Sequence, residues 1–305
     1  MAKTPQTQNR RWIVTAVPYL WMVIFFLVPF FIVLKISFSN SEIAQPPYSP
    51  VFDFIVDGWD EMLDKLASLT TDNYLRLIQD SIYSSSYLSS LWIAGSSTVM
   101  MLFIAYPIAY GMARAPKSWR PTLVMMVILP FWTSFLIRVY AWIAILSEEG
   151  LLNSALTWLG VIDEPIQILS TNTAVYIGIL YSYLPFMVLP LYSNLEKMDD
   201  SLIEAAKDLG CTQIGAFWRV TFPLSLPGVI AGCFLVFIPA VGEFVIPDLL
   251  GGSDTIMIGK TMWEEFFNNR DWPAASGVAI ALLIILMIPI MIFQTNEARQ
   301  QEAGR

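Results

Sequence analysis

Six long apolar runs set the pattern of the chain, at about 12–36, 86–113, 121–146, 173–195, 228–248 and 273–294. A helix needs roughly 20 predominantly apolar residues to cross the hydrocarbon of a bilayer, and each run reaches that length. The pattern predicts an all-α polytopic membrane protein with six transmembrane helices. The first run follows Lys3, Arg10 and Arg11 and is longer than the apolar core of a cleaved signal peptide. The SFSNSE after it offers no small-residue cleavage site, so the expectation is a retained first helix.

The interval between the fourth and fifth runs is far more polar than either. DDSLIEAAKDLGCTQIGAFWRVTFPLSLPG, residues 199–228, reads as two short helices. Ser201 and Glu204 have capping-box spacing, in which a hydroxyl and a carboxylate satisfy free amides at a helix start. Leu202, Ala205, Ala206 and Leu209 form a small apolar stripe at helical spacing. Gly210 stands where a helix ends. Thr212 is placed to cap a second helix, from Gln213 to about Thr221, and Pro223 and Pro227 are expected to stop it before the next span. A helix faced with alanine lets another surface come close. Physics alone leaves two readings, a connector tucked under the bundle or a dock for a soluble partner.

Basic residues orient the runs. Lys3, Arg10, Arg11, Arg114, Lys117, Arg120, Lys197, Lys207, Arg219, Arg299 and Arg305 fall on one side and make up eleven of the seventeen. The opposite side holds Lys65, Arg76, Lys260 and Arg270. The positive-inside rule makes both termini and the 196–227 loop cytoplasmic. The opposite loops carry 17 of the 25 acids, either because bases are retained inside or because the surface suits cations.

Composition agrees with a membrane chain. Hydrophobic residues make up 56% and charged residues 14%, against about 25% charged in a soluble domain. The acidic balance argues against nucleic-acid binding. The absence of histidine removes the commonest general base and metal ligand. Cys211 and Cys233, in a loop and a span, make no metal or redox motif.

Glu204-Ala205-Ala206, three residues, Gly210, nine residues and then Val220-Thr-Phe-Pro223 resembles the signature loop of permease subunits of binding-protein-dependent ABC importers. That family's pattern is EAA-x3-G-x9-I-x-L-P, and the spacing matches throughout. Val220 for isoleucine and Phe222 for leucine keep apolar character. LPFWTSFLIRVYAW (129–142), PAVGEFVIPDLLGG (239–252) and EEFFNNRDWP (264–273) are similar to the putrescine and spermidine branch, as are YLW near the start and PFMVLP at 185–190.

The resemblance implies a type I ABC importer permease fold in a bacterial inner membrane. Residues 1–11 would be a cytoplasmic tail, 12–36 the first transmembrane helix, 37–85 a periplasmic loop, 86–294 a five-helix core and 295–305 a cytoplasmic tail. The loop 196–227 within the core would carry a coupling helix. Glu204, Ala205, Ala206, Gly210 and Pro223 would dock on a separate ATPase dimer. The other implied partners are a second permease subunit, a periplasmic polyamine-binding protein and the bilayer. The chain would be no enzyme and would bind no cofactor, ATP being held by the ATPase. The only fragment reminiscent of a phosphate loop, Gly259-Lys260-Thr261, has Asp254 where the leading glycine belongs and falls outside the cytoplasm.

Two ionisable residues stand within the runs, where charge marks pathways or buried pairs. At about 1.5 Å of rise per residue, straight spans place Glu243 roughly 22 Å and Arg138 roughly 25 Å from the cytoplasmic side of a core about 30 Å thick. Glu243 lies between Pro239 and Pro247 beside Gly242, which predicts an interrupted helix. Two readings stay open: Glu243 pairs with Arg138, or it meets a cationic substrate. Trp132, Phe135, Tyr140 and Trp142 suit a polyamine's ammonium groups and methylenes, or they form an interfacial belt. The rivals are an importer for another small solute and an ion-gradient-driven secondary transporter.

Overall fold

A computed structural model describes residues 15–53 and 55–303. The tail 1–11 and the start of the first run lie outside them. Regular structure among them is helical apart from an antiparallel pair of two-residue strands, β1 (Asn40–Ser41) and β2 (Tyr48–Ser49). Five helices are long and apolar enough to cross a membrane, and a bent pair makes a sixth crossing if it counts as one span. The chain divides into two compact units, residues 1–84 with 262–305 and residues 85–261.

In the first unit, helix α1 (Thr15–Ser37) packs against the last helix of the chain, Trp272–Ala303. The polar segment after α1 folds back on the end of that helix. Lys35 Nζ donates to the Pro50 carbonyl and lies over the rings of Tyr48 and Phe52, at 4.4 and 5.0 Å. Short helices α2 (Trp59–Ala67) and α3 (Asp72–Gln79) occupy the segment expected as a loop. From α3, Asn73 Nδ2 donates to the Ser37 and Ser39 carbonyls at 2.9 and 2.8 Å. Arg76 pairs with Asp271 at 2.9 Å, and the Tyr83 hydroxyl donates to Glu265 at 2.6 Å. The last helix runs to Ala303, so the expected tail from 295 continues its span.

The second unit holds most of α4 (Ser81–Arg114), then α5 (Arg120–Ile128), α6 (Phe135–Leu146), α7 (Leu151–Trp158), α8 (Asn172–Glu196), α9 (Ser201–Asp208), α10 (Gln213–Val241), α11 (Val245–Leu250) and the start of α12 (Ile258–Trp263). The final helix Trp272–Ala303 is α13. Helices α8 and α10 form the central pair, and α11 packs on α6 and α8. Hydroxyls tie α4 to its neighbours: Ser96 to Tyr176 at 2.9 Å, Tyr106 to Ser225 at 2.9 Å, and Ser90 accepting from the Ile258 N–H at 2.7 Å. Such bonds hold helices together where lipid removes the hydrophobic driving force.

Gly178 is where α11 meets α8. A Cβ there would stand 2.7 Å from Leu250 Cδ1 and 2.8 Å from Ile246 Cγ2. Gly178→Val should therefore push α11 off α8 and cost about 1–3 kcal/mol of overpacking. A fall in thermal stability of the detergent-purified protein, with Gly111→Ala in open space as control, would measure it.

Two expectations are corrected. The third run is not one straight span, because Arg120–Trp132 and Phe135–Trp158 meet at 87°. Pro130 supplies no amide, the helix tightens to a 3-10 turn at Leu129–Trp132, and Thr133 is extended. The depth of Arg138 along a straight helix therefore does not hold. Nor do Pro223 and Pro227 end the second hairpin helix, since α10 is continuous from Gln213 to Val241. A π turn at Phe217–Thr221 comes directly before Pro223, with the Phe222 N–H reaching back to the Phe217 carbonyl. This one-residue slip carries the helix past a proline that lacks a donor. The same device at Val23–Leu27 precedes Pro29 in α1.

Candidate functional site

The polar hairpin is built as α9 followed by the first turns of α10. The expected capping box at Ser201 does not form, because the helix starts one residue earlier, with Asp200 as N-cap. Asp199 accepts from the Ser201 N–H at 3.0 Å instead, and that bond holds its carboxyl below the usual range. Gly210, at φ +85°, closes α9 with the Cys211 N–H bonded to the Ala206 carbonyl and its own to Lys207, at 3.0 and 2.8 Å. Thr212 caps α10 as expected, accepting from the Gly215 N–H at 3.1 Å.

The alanines divide the work of α9. Ala206 is 8% exposed and turns inward, whereas Ala205 faces outward with Glu204. Leu202 and Leu209 are exposed, as are Ile214 and Trp218 from α10, and Leu209 reaches 88%. The hairpin thus presents an uncovered apolar face. Pro223 is exposed, just past the π turn. Beneath the hairpin, Arg114 at the end of α4 pairs with Asp200 and lies 5.5 Å over Tyr110. Phe217 packs edge-on against Tyr106 and Tyr110, at 5.5 and 6.0 Å. The hairpin is therefore fastened to α4 by one ion pair and an aromatic cluster.

At the other end of α10 the chain breaks at Gly242, and Glu243 fills the break. It is 7% exposed. One carboxylate oxygen accepts from the N–H groups of Phe244, Val245 and Ile246, at 3.1, 3.0 and 3.4 Å. The other accepts from the Tyr183 hydroxyl of α8. Glu243 thus caps α11 with four intrachain donors. It forms no ion pair with Arg138, so the expected pairing is not met. Tyr183, 60 residues away, is the partner that spacing could not reveal.

Arg138 is buried in the first turn of α6, 4.8 Å from the centre of the Phe131 ring and 5.8 Å from that of Phe135. Phe131 was missed by sequence reasoning; it sits just before the break and is brought back over α6 by the bend. Trp132 and Tyr140 are exposed, and Trp142 packs edge-on against Tyr181 at 5.4 Å. The six candidate pathway residues do not form one cavity. The Gly259-Lys260-Thr261 fragment is helical, with Lys260 paired to Asp248 at 3.5 Å.

The profile of the family described as binding-protein-dependent transport system inner membrane component matches residues 105–297. The chain is 41% identical over 273 residues to the spermidine/putrescine transport system permease protein PotB of Escherichia coli, covering 90% of this chain and 92% of that one. Identity to the PotB of Haemophilus influenzae is 38% over 281 residues, 92% of each. Among solved structures, a bacterial ABC transporter involved in importing the acidic polysaccharide alginate superimposes with a TM-score of 0.68 at 16% identity, over 97% of this chain and 98% of that chain.

Proposed function

Because the chain belongs to the family of binding-protein-dependent transport system inner membrane components, we propose that it forms half of the translocation pathway of an ATP-driven importer for putrescine or spermidine. The observation that carries this reading is kinship with polyamine permeases along nearly the whole chain. In this reading a second permease subunit supplies the other half, a periplasmic binding protein delivers the polyamine to the outer loops, and both termini are cytoplasmic. A separate ATPase dimer binds and hydrolyses ATP and receives the exposed face of α9.

The continuity of α10 gives this reading its mechanics. The helix that opens inside the hairpin is the same rod that ends at the Glu243 break. At about 1.5 Å per residue it is roughly 43 Å long. Displacement of its hairpin end by the ATPase is delivered to the elbow at Gly242–Glu243 and to α11. Interrupted helices at membrane depth are where transporters change shape. The ion pair Arg114–Asp200 moves the end of α4 with the hairpin.

The test is uptake of labelled putrescine and spermidine by cells whose only polyamine importer carries this subunit. Uptake should require the ATPase to hydrolyse ATP, and each unlabelled polyamine should compete for it. Uptake surviving an inactive ATPase would replace this reading by a gradient-driven carrier. ATP-dependent transport indifferent to both polyamines would leave the class and change the solute.

A further inference from the structure

Arg138 is 8% exposed, and its Nε and one terminal nitrogen are buried without a hydrogen-bond partner. The rings of Phe131 and Phe135 make up only part of the hydration that a buried cation loses. A guanidinium at membrane depth calls for a counter-charge. The second unit has none to offer. No acid lies in residues 85–147, in α8 before Glu196 or in α10. Glu196 pairs with Arg120 and Asp248 with Lys260, at 3.4 and 3.5 Å. Glu243 is filled by Tyr183 and three backbone amides.

Depth and charge narrow the source. The stretch Arg120–Trp132 rises roughly 20 Å at about 1.5 Å per residue before the chain turns through 87°. That carries Arg138 away from the phosphate layer at the Arg120 end and leaves it short of the far one in a core about 30 Å thick. A polyamine carries the same sign as Arg138. Around the guanidinium, Trp132, Leu136, Ile137 and Tyr140 form an exposed apolar face.

We propose that Arg138 anchors the interface with the second permease subunit, which covers this face and places a carboxylate against the guanidinium at membrane depth. This rests on the two-subunit importer reading, but its test does not depend on the solute. A subunit that lacked the carboxylate would leave Arg138 unpaired, so the pair also selects a different partner over a second copy of this chain.

Co-expression of the tagged chain with the second permease and the ATPase tests it by co-purification. Arg138→Met keeps the length of the side chain and removes the charge. It should accumulate in the membrane at least as well as the native chain and lower recovery of the second permease at least about tenfold, since truncating one member of a buried pair strands the other. Arg138→Lys should retain most association. Arg138→Glu should lose it and regain it when one membrane-depth acid of the second permease is exchanged for arginine. Native stoichiometry with Arg138→Met overturns the proposal. Should the methionine variant not accumulate, the charge exchange decides, and failure at every membrane-depth acid of the partner overturns it. Normal association with lost uptake would mean that the guanidinium meets the solute, and would overturn both this pair and the polyamine reading. Transport of a different cation leaves the co-purification result standing.

Discussion

Glu243→Ala should abolish uptake and reduce the amount of assembled transporter, while Glu243→Gln restores assembly. The carboxylate accepts from the Tyr183 hydroxyl and from three successive amides at the start of α11. Alanine removes all four acceptor contacts from a site that is 7% exposed. A buried donor left without a partner costs about 1–3 kcal/mol. Losing even two such partners approaches the roughly 5–15 kcal/mol that holds a domain folded. Helix α11, only Val245–Leu250, has no other side-chain cap and packs on both α6 and α8, so its loss would spread. Glutamine keeps an oxygen for the amides and turns its NH2 toward the tyrosine oxygen. Assembled transporter in each variant, measured by size-exclusion chromatography, checks the structural half of this. Uptake by the glutamine variant separates the roles. Undiminished uptake makes Glu243 a cap alone, whereas a drop of about tenfold with assembly intact means that its charge also meets the passing ammonium. Normal assembly of the alanine variant would remove the capping role.

The apolar runs were legible because the requirement for a span, about 20 apolar residues, is a property of the chain in one dimension. The hairpin was legible for a similar reason. Gly210 and Thr212 act on neighbours within three or four residues, and both do in the structure what such residues do locally. Pro239, Gly242 and Pro247 foretold an interrupted fifth span, and the break stands at Gly242–Phe244. Misreadings came where a local signal had two outcomes. Pro223 ends a helix unless a π turn takes up the missing donor, and the choice is made by packing of Phe217 on Tyr106 and Tyr110 from α4. Pro130 sits in a run whose apolarity is unbroken, so nothing in the hydropathy marked the 87° turn. Equal depth along two spans then failed to predict a Glu243–Arg138 pair, because distance along a bent chain is not distance across a bundle. Tyr183 and Phe131, the true neighbours of the two charges, are chosen by the fold.

Ala205→Asp should leave the subunit folded and strip it of its ATPase. Ala205 points outward from α9 beside exposed Leu202 and Leu209, so an aspartate there meets only water in the free subunit. The substitution costs α9 little beyond a modest loss of helix propensity, at most about 0.7 kcal/mol. In a packed interface the same carboxylate would be buried without a partner. Its desolvation costs several kcal/mol, enough to lower affinity by a factor of 100 or more. The small side chain also sets how closely the partner surface comes, so added volume acts in the same direction as added charge. Ala206→Asp is a different experiment, since Ala206 is turned into the hairpin and its replacement would disturb Ala206 and Phe217 together rather than the free face alone. The pair of variants therefore separates docking from folding. Ala205→Asp should keep native thermal stability, lose co-purification with the ATPase and abolish uptake. Ala205→Ser, small and neutral, should retain both. Full ATPase association and uptake with aspartate at 205 would mean that α9 is only a connector beneath the bundle, and the mechanical contact would have to be sought elsewhere on the cytoplasmic side.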